Sequence, residues 1–255
     1  MHSLAQLTDP DAWAAMLGRG WGEAHTPEFW VAVAKIIWIN ILLSGDNAVV
    51  IALACRGLPA RQRLWGMILG AGVAVGLRIV FTGVVASLML LPYLKIAGGV
   101  ALFYIAAKLV VPDEPDHSET EAVEHLWRAV RIVAVADIIM SLDNVIAIAA
   151  AAGGNAALLV LGLAISIPLI VAGAALIMSL LDRFPVLVWA GAGLLGWIVG
   201  EVIATDPVSV AFLTDNFGAE TAKKVEYGMA VAGVVLVLVV GALWRRAKRP
   251  AASEV

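Results

Sequence analysis

Seven mostly apolar runs, broken by short polar or Gly/Pro stretches, organise the chain: 29–54, 65–91, 93–111, 127–152, 156–181, 186–204 and 225–244. Each approaches the roughly 20 residues that carry a helix across a bilayer. Each therefore predicts a transmembrane helix. Pro92, Gly153-Gly154 and Pro185 mark tight connections, which makes successive helices antiparallel neighbours. The remaining segments read as an N-terminal extracytoplasmic segment over 1–28, an acidic linker over 112–126, an extracytoplasmic loop over 205–224 and a basic tail over 245–255. Within the first, Asp9-Pro10 reads as the N-cap and first residue of a short helix ending near Gly18. Trp13, Met16, Leu17 and Trp21 would rest that helix on the membrane interface.

Composition sharpens this pattern into a class. Hydrophobic residues make up 62% of the chain and charged ones 15%, against about half and a quarter in soluble domains. The expectation is an all-α polytopic membrane protein. A single cysteine, Cys55, allows neither an internal disulfide nor a cysteine metal cluster. The N-terminus lacks the basic stretch of a cleavable signal peptide. The net charge of −3 says little, but its distribution sets an orientation. Arg56, Arg61, Arg63, Lys108, Arg128, Arg131, Arg183, Arg245, Arg246, Lys248 and Arg249 fall on one side if the helices alternate. The other side has Arg19, Lys35, Lys95, Lys223 and Lys224. The excess marks the cytoplasmic side. The N-terminus is then outside and the C-terminus inside.

Two of the runs carry polar groups at membrane depth, and the two interruptions are near copies. Asn40-Ile-Leu-Leu-Ser-Gly-Asp46-Asn47 lies in the first run, and Asp137-Ile-Ile-Met-Ser-Leu-Asp143-Asn144 in the fourth. Asn40 aligns with Asp137, Ser44 with Ser141, Asp46 with Asp143 and Asn47 with Asn144, all at one offset (143 − 46 = 97). A charge at the bilayer centre costs at least about 2.5–3.5 kcal/mol. Two matched sets of such groups point to ion handling. The third runs also match, with Pro92 on Pro185 and Ala97-Gly98 on Ala190-Gly191. The first unit (29–111) and the second (127–204) begin on opposite sides of the membrane. They read as two inverted three-helix repeats, the pattern of secondary transporters, with the run 225–244 as a seventh helix outside the repeat.

Asn40, Ser44 and Asn47 share one helical face, as do Asp137, Ser141 and Asn144. Asp46 and Asp143 each sit about 100° from the neighbouring Asn on a regular helix. Unwinding at Gly45 would swing Asp46 inward, as broken helices lining cavities do. The combined oxygens suit a hard divalent cation such as Mg2+, Ca2+ or Mn2+. Met140 lies on the same face, and a thioether there would favour Mn2+, although the same residue fills gaps in packed cores. Arg78, in the middle of the second run, needs a buried anion: the Asp cluster or Glu201. It either compensates the empty site and yields to an arriving cation, or forms a permanent structural pair. Asp137 or Glu201 would carry a proton.

These motifs resemble the TerC family of integral membrane proteins, and most its short, riboswitch-linked branch. The resemblance rests on the doubled Ser-x-Asp-Asn motif and covers residues 29–245. It implies a bacterial inner-membrane protein that lowers cytoplasmic Mn2+ by export, with the family's acidic pairs falling on Asp46 and Asp143 beside Asn47 and Asn144. The expected partners are a divalent cation, a proton or sodium counter-ion and the lipid bilayer, with no cofactor and no nucleic acid. The rival readings are an exporter of Ca2+ or of an organic cation or amino acid, and a non-transporting scaffold for membrane-protein assembly or metallation. No Ser/His pair or His-rich motif lies in the runs, which argues against an enzyme. The chain lacks the G-x-x-x-x-G-K-[ST] pattern of an ATP-driven pump.

Overall fold

The computed structural model describes residues 22, 25–88, 91–111, 119–153 and 155–248. The expected interfacial helix over 9–18, the linker residues 112–118 and the end of the basic tail (249–255) lie outside the described residues. Among those described, the regular structure is entirely helical: α1 (Pro27–Leu42), α2 (Gly45–Cys55), α3 (Ala60–Leu88), α4 (Leu94–Val110), α5 (Glu119–Ala152), α6 (Ala156–Arg183), α7 (Val186–Ala204) and α8 (Pro207–Ala247). Side-chain caps fix several starts. Thr26 accepts the Phe29 N–H at 3.3 Å ahead of Pro27. Asn155 accepts the N–H groups of Ala157 and Leu158 at 3.0 and 3.2 Å.

The elements depart from the sequence reading in three places. The first apolar run is not one helix. It breaks at Leu43-Ser44 into α1 and α2, bent by 56°. Part of the acidic linker, residues 119–126, forms the first turns of α5. Most of the expected loop over 205–224 is helical too. Asp206-Pro207 starts α8, with the Asp206 carboxylate accepting the Val208 N–H at 2.9 Å. Only Gly218 leaves helical geometry, at φ 76° and ψ 159°, a region that glycine tolerates. Asp-Pro is the same N-cap signature read at residues 9–10.

Four described helical segments are long and apolar enough to cross a bilayer: Ala60–Thr82, Ala157–Arg183, Val186–Ala204 and Glu220–Ala247. The bent pair α1–α2 makes a fifth if it counts as one broken span. Large apolar side chains such as Trp30, Trp38, Trp65, Val80 and Leu236 stand exposed on the outside, as suits a lipid-facing surface.

The connections reverse the chain, and the helix ends gather accordingly. A cavity of about 300 Å³ is lined by Arg56, Arg63, Asp182, Pro185, Trp189 and Arg245. It brings the end of α2, the start of α3, the end of α6, the start of α7 and the end of α8 to one end of the bundle. Arg63 closes it with a 2.7 Å salt bridge to Asp182. At the start of α4, the fully buried Asp206 accepts the N–H groups of Tyr93, Lys95 and Ile96 at 3.2, 3.2 and 3.4 Å while also capping α8.

The helices pack across the two halves of the chain. α3 lies along α5, α1 and α2 lie against α6, and α4 lies against α7. Small residues set the depth of these contacts. A Cβ built on Gly162 would meet Ile36 at 2.5 Å, and one on Gly70 would meet Val133 at 3.3 Å. α8 rests on α7 and α4. Its approach to α7 is backbone on backbone: a Cβ on Gly200 would lie 2.1 Å from the Met229 carbonyl oxygen, and one on Gly196 2.6 Å from that of Gly233. Gly196-Trp-Ile-Val-Gly200 is the G-x-x-x-G spacing of close membrane-helix contacts.

Candidate functional site

The break in the first apolar run determines what surrounds it. The N–H of Leu43 still bonds the Ile39 carbonyl at 2.9 Å, and that of Ser44 bonds Ile41 at 3.2 Å. The chain then turns, and α2 restarts at Gly45. Gly45 keeps a negative φ, so no left-handed backbone makes the break. Asp46 falls in the first turn of α2, where its carboxylate accepts the Asn47 N–H at 2.8 Å. A negative charge is favourable at a helix N-terminus. The matched stretch in α5 has no such break: the helix runs continuously from Glu119 to Ala152. Instead α5 sends an amide to the break, and Asn144 Nδ2 donates to the Leu43 carbonyl at 3.1 Å.

One turn before the break lies a buried polar cluster with Arg78 at its centre. Arg78 is 1% exposed, and its guanidinium forks between the two matched helices. Nη1 donates to Asn40 Oδ1 and to Ser44 Oγ, the latter at 3.3 Å. Nη2 donates to Asp137 Oδ1 at 2.7 Å and to Ser141 Oγ at 2.8 Å. Each nitrogen thus takes one pair spaced i, i+4, and the two pairs are the ones related by the offset of 97. The planar, always-charged guanidinium suits such a forked role better than an ammonium. Asn40 Nδ2 in turn donates to Ser166 Oγ on α6, whose own hydroxyl donates to the Leu163 carbonyl at 2.6 Å. Three buried atoms at or near the cluster have no hydrogen-bond partner: Arg78 Nε, Asp137 Oδ2 and Asn47 Nδ2.

The structure therefore brings together Asn40, Ser44, Asp137, Ser141 and Arg78, and sets Asn144 against the break. Asp46 is half-buried beside this group, within electrostatic reach of both Arg78 and Asp137. Met140 is buried on the same helix as Asp137. The Asp143 side chain lies outside the described residues. Glu201, named above as another partner for Arg78, is elsewhere. It is exposed on α7 and lines a small cleft with Trp197, Glu226 and Tyr227, whereas Arg78 pairs with Asp137. Among the described residues no three His, Cys, Asp or Glu side chains converge on one point. The oxygens that do converge are amide, hydroxyl and a single carboxylate, and a guanidinium sits between them.

Two buried polar residues escaped the sequence reading, Ser166 within this arrangement and Asp206 at the helix starts described above. Ser166 sits two residues before Pro168 inside α6; a hydroxyl next to a proline that removes a helical hydrogen bond was the available signal. Asp206 is a buried acid whose Asp-Pro cap was in plain sight.

Residues 25–249 match the family described as Integral membrane protein TerC family. "Uncharacterized membrane protein YjbE" of Bacillus subtilis (strain 168) is 40% identical over 194 residues, covering 76% of this chain and 88% of the relative. "Uncharacterized membrane protein YceF" of the same organism is 26% identical over 175 residues, 65% of this chain and 68% of the relative. A "UPF0053 protein" of Haemophilus influenzae is 27% identical over 181 residues, 63% and 76% of the two chains. No solved structure matches. With the match running almost end to end, and the doubled polar motif inside it, the chain belongs to the TerC family of integral membrane proteins.

Proposed function

We propose that the protein is a secondary transporter that exports a divalent metal cation, Mn2+ first among the candidates, across a bacterial inner membrane. The observation that carries this reading is the pairwise match at Arg78. Asn40 with Ser44, and Asp137 with Ser141, hold one buried positive group from two sides. Residues at equivalent places in the two halves of the chain thus create an interior position that attracts positive charge. Asp46 lies beside it at the broken helix, where an arriving cation gains a second carboxylate. Oxygen ligands of this kind suit hard divalent ions, and the preference for Mn2+ over Ca2+ comes from the family resemblance and from Met140.

In this reading all seven helical units cross the membrane, α1–α2 counting as one. The N-terminus is outside and the C-terminus is cytoplasmic. The units α1–α4 and α5–α7 act as inverted repeats. Reciprocal packing supports the repeat. Ile36 of the first unit sits on Gly162 of the second, and Val133 of the second sits on Gly70 of the first; 36 and 133 are again 97 apart. Moving a divalent ion outward against 100 mV, negative inside, costs about 4.6 kcal/mol, so a proton or sodium gradient drives export.

The test is 54Mn2+ flux in proteoliposomes under an imposed proton or sodium gradient, with Ca2+ and Mg2+ as competitors. Wild type moves Mn2+, and Asp46→Asn and Asp143→Asn variants reduce the flux at least tenfold at equal reconstitution. No flux of any divalent ion by wild type sinks the proposal. Full activity in both variants moves the site elsewhere.

A further inference from the structure

We propose that Arg78 is a tethered substitute for the transported cation: guanidinium and metal are mutually exclusive occupants of one oxygen set. The inference rests on the transport reading above and concerns how the site is regulated. A structural salt bridge needs only one carboxylate. Arg78 instead spreads four donor contacts over Asn40, Ser44, Asp137 and Ser141. These are the side chains that two matched helices offer a cation. The fit is nevertheless incomplete. Arg78 Nε and Asp137 Oδ2 are both buried and unpartnered. A permanent pair in a dry interior normally satisfies every such atom. A compact divalent ion would use the idle Asp137 oxygen, and it would recruit Asp46, which Arg78 leaves bonded to the Asn47 N–H.

The register of the helices favours an interchangeable arm. Asn40 meets Ser166 on α6, and its counterpart Asp137 meets Arg78 on α3. Ile36 and Val133, each four residues earlier, meet Gly162 and Gly70. Ser166 lies one turn beyond Gly162, whereas Arg78 lies two turns beyond Gly70. The long side chain therefore reaches the site from a turn further along α3. It leans toward the helix N-terminus, as helical side chains do. Withdrawal of such a group is, in this proposal, a change of its own side-chain rotamers along α3. With Arg78 in place, the empty site carries a neutral Arg–Asp pair and can change its facing. With the metal in place, two carboxylates neutralise its two charges and the arm is released.

The experiment uses Arg78→Lys and Arg78→Gln in the full-length protein, purified in detergent and titrated with manganese chloride alone. Calorimetry reads affinity, and thermal unfolding reads stability without and with metal. Arg78→Lys keeps a positive charge beside Asp137, so folding is retained. Its point-like ammonium cannot fork to both pairs. Removing a competitor that occupies the site most of the time tightens apparent binding by about tenfold or more. The expected result is tighter Mn2+ binding in Arg78→Gln, which has no tethered cation, with Arg78→Lys between it and wild type; Arg78→Gln is less stable than wild type without metal and is restored by Mn2+. Flux falls in both, because the empty carrier returns slowly. Unchanged or weaker Mn2+ binding in Arg78→Gln, with a cooperative unfolding transition showing that it is folded, overturns the proposal and makes Arg78 a structural strut. If wild type neither binds nor moves any divalent ion, the transport reading itself fails; that result is separate from the behaviour of the variants.

Discussion

The Arg78–Asp137 pair sets the most demanding test of the site as drawn. The two groups meet at 2.7 Å with 2% and 3% of their side chains exposed. Asp137→Asn keeps size and shape but removes the anion. Arg78 would retain acceptors on Asn40, Ser44 and Ser141 and lose its only direct carboxylate. At an effective dielectric of about 20, two charges about 4 Å apart attract by roughly 4 kcal/mol. Removing one partner of a buried pair costs about 3–5 kcal/mol by direct experience, so the two routes agree. Arg78→Gln should cost a similar amount, for the mirror reason that Asp137 is left unpaired. The double variant removes both charges. A neutral replacement of a buried pair is often nearly neutral or stabilising, so the double variant should be more stable than either single one. A shift of 1 kcal/mol moves Tm by about 2–4 °C for a chain near this size. Each single variant should therefore lose about 6–20 °C, and the double variant should recover most of it. Nine tryptophans make intrinsic fluorescence on heating, in detergent with a metal chelator present, a direct readout. A double variant as unstable as the two single losses added together would mean that the charges do not interact, and the geometry given for the cluster would be refuted.

Three further outcomes follow from particular contacts. Gly45→Ala should change stability by less than about 0.5 kcal/mol and leave flux near wild type, because a Cβ there meets nothing within 4 Å and the residue has no left-handed φ to lose; a large defect in thermal unfolding or flux would return the break to glycine's freedom. Gly200→Ala should destabilise by about 1–3 kcal/mol or more, since its Cβ would stand 2.1 Å from a backbone oxygen that cannot rotate away. Gly76→Ala, facing open space on α3, should be neutral or stabilise by up to about 1 kcal/mol, and paired melting curves compare the two. Asp206→Ala strips acceptors from four N–H groups at two helix starts. Cap loss and buried unpaired donors together predict a loss of about 2–4 kcal/mol, with Asp206→Asn milder; equal melting of wild type and Asp206→Ala would refute the double cap.

The sequence by itself determined the helical, membrane-embedded character, because apolar runs of bilayer length leave backbone groups no partner except within a helix. It also pointed to four residues of the buried polar cluster. Asn40, Ser44, Asp137 and Ser141 were legible from one repeated spacing, since helical period places i and i+4 on the same face whatever surrounds them. The sequence placed Arg78 in the interior and required an anion for it, but left two candidates. Only the packing of α3 along α5 chose Asp137 over Glu201, which sits on an outer face of α7. The break was expected at Gly45 and lies at Leu43-Ser44. The residues there are unexceptional, and contacts with α5, including the amide of Asn144, supply what the interrupted helix lacks. Ser166 and Asp206 followed the same rule. Each bonds residues on another helix more than 100 positions away, and a linear pattern carries no record of such partners. Periodicity reports the face a side chain occupies; the group it meets across that face depends on how helices approach one another, which here was set by glycines at 70, 162, 196 and 200.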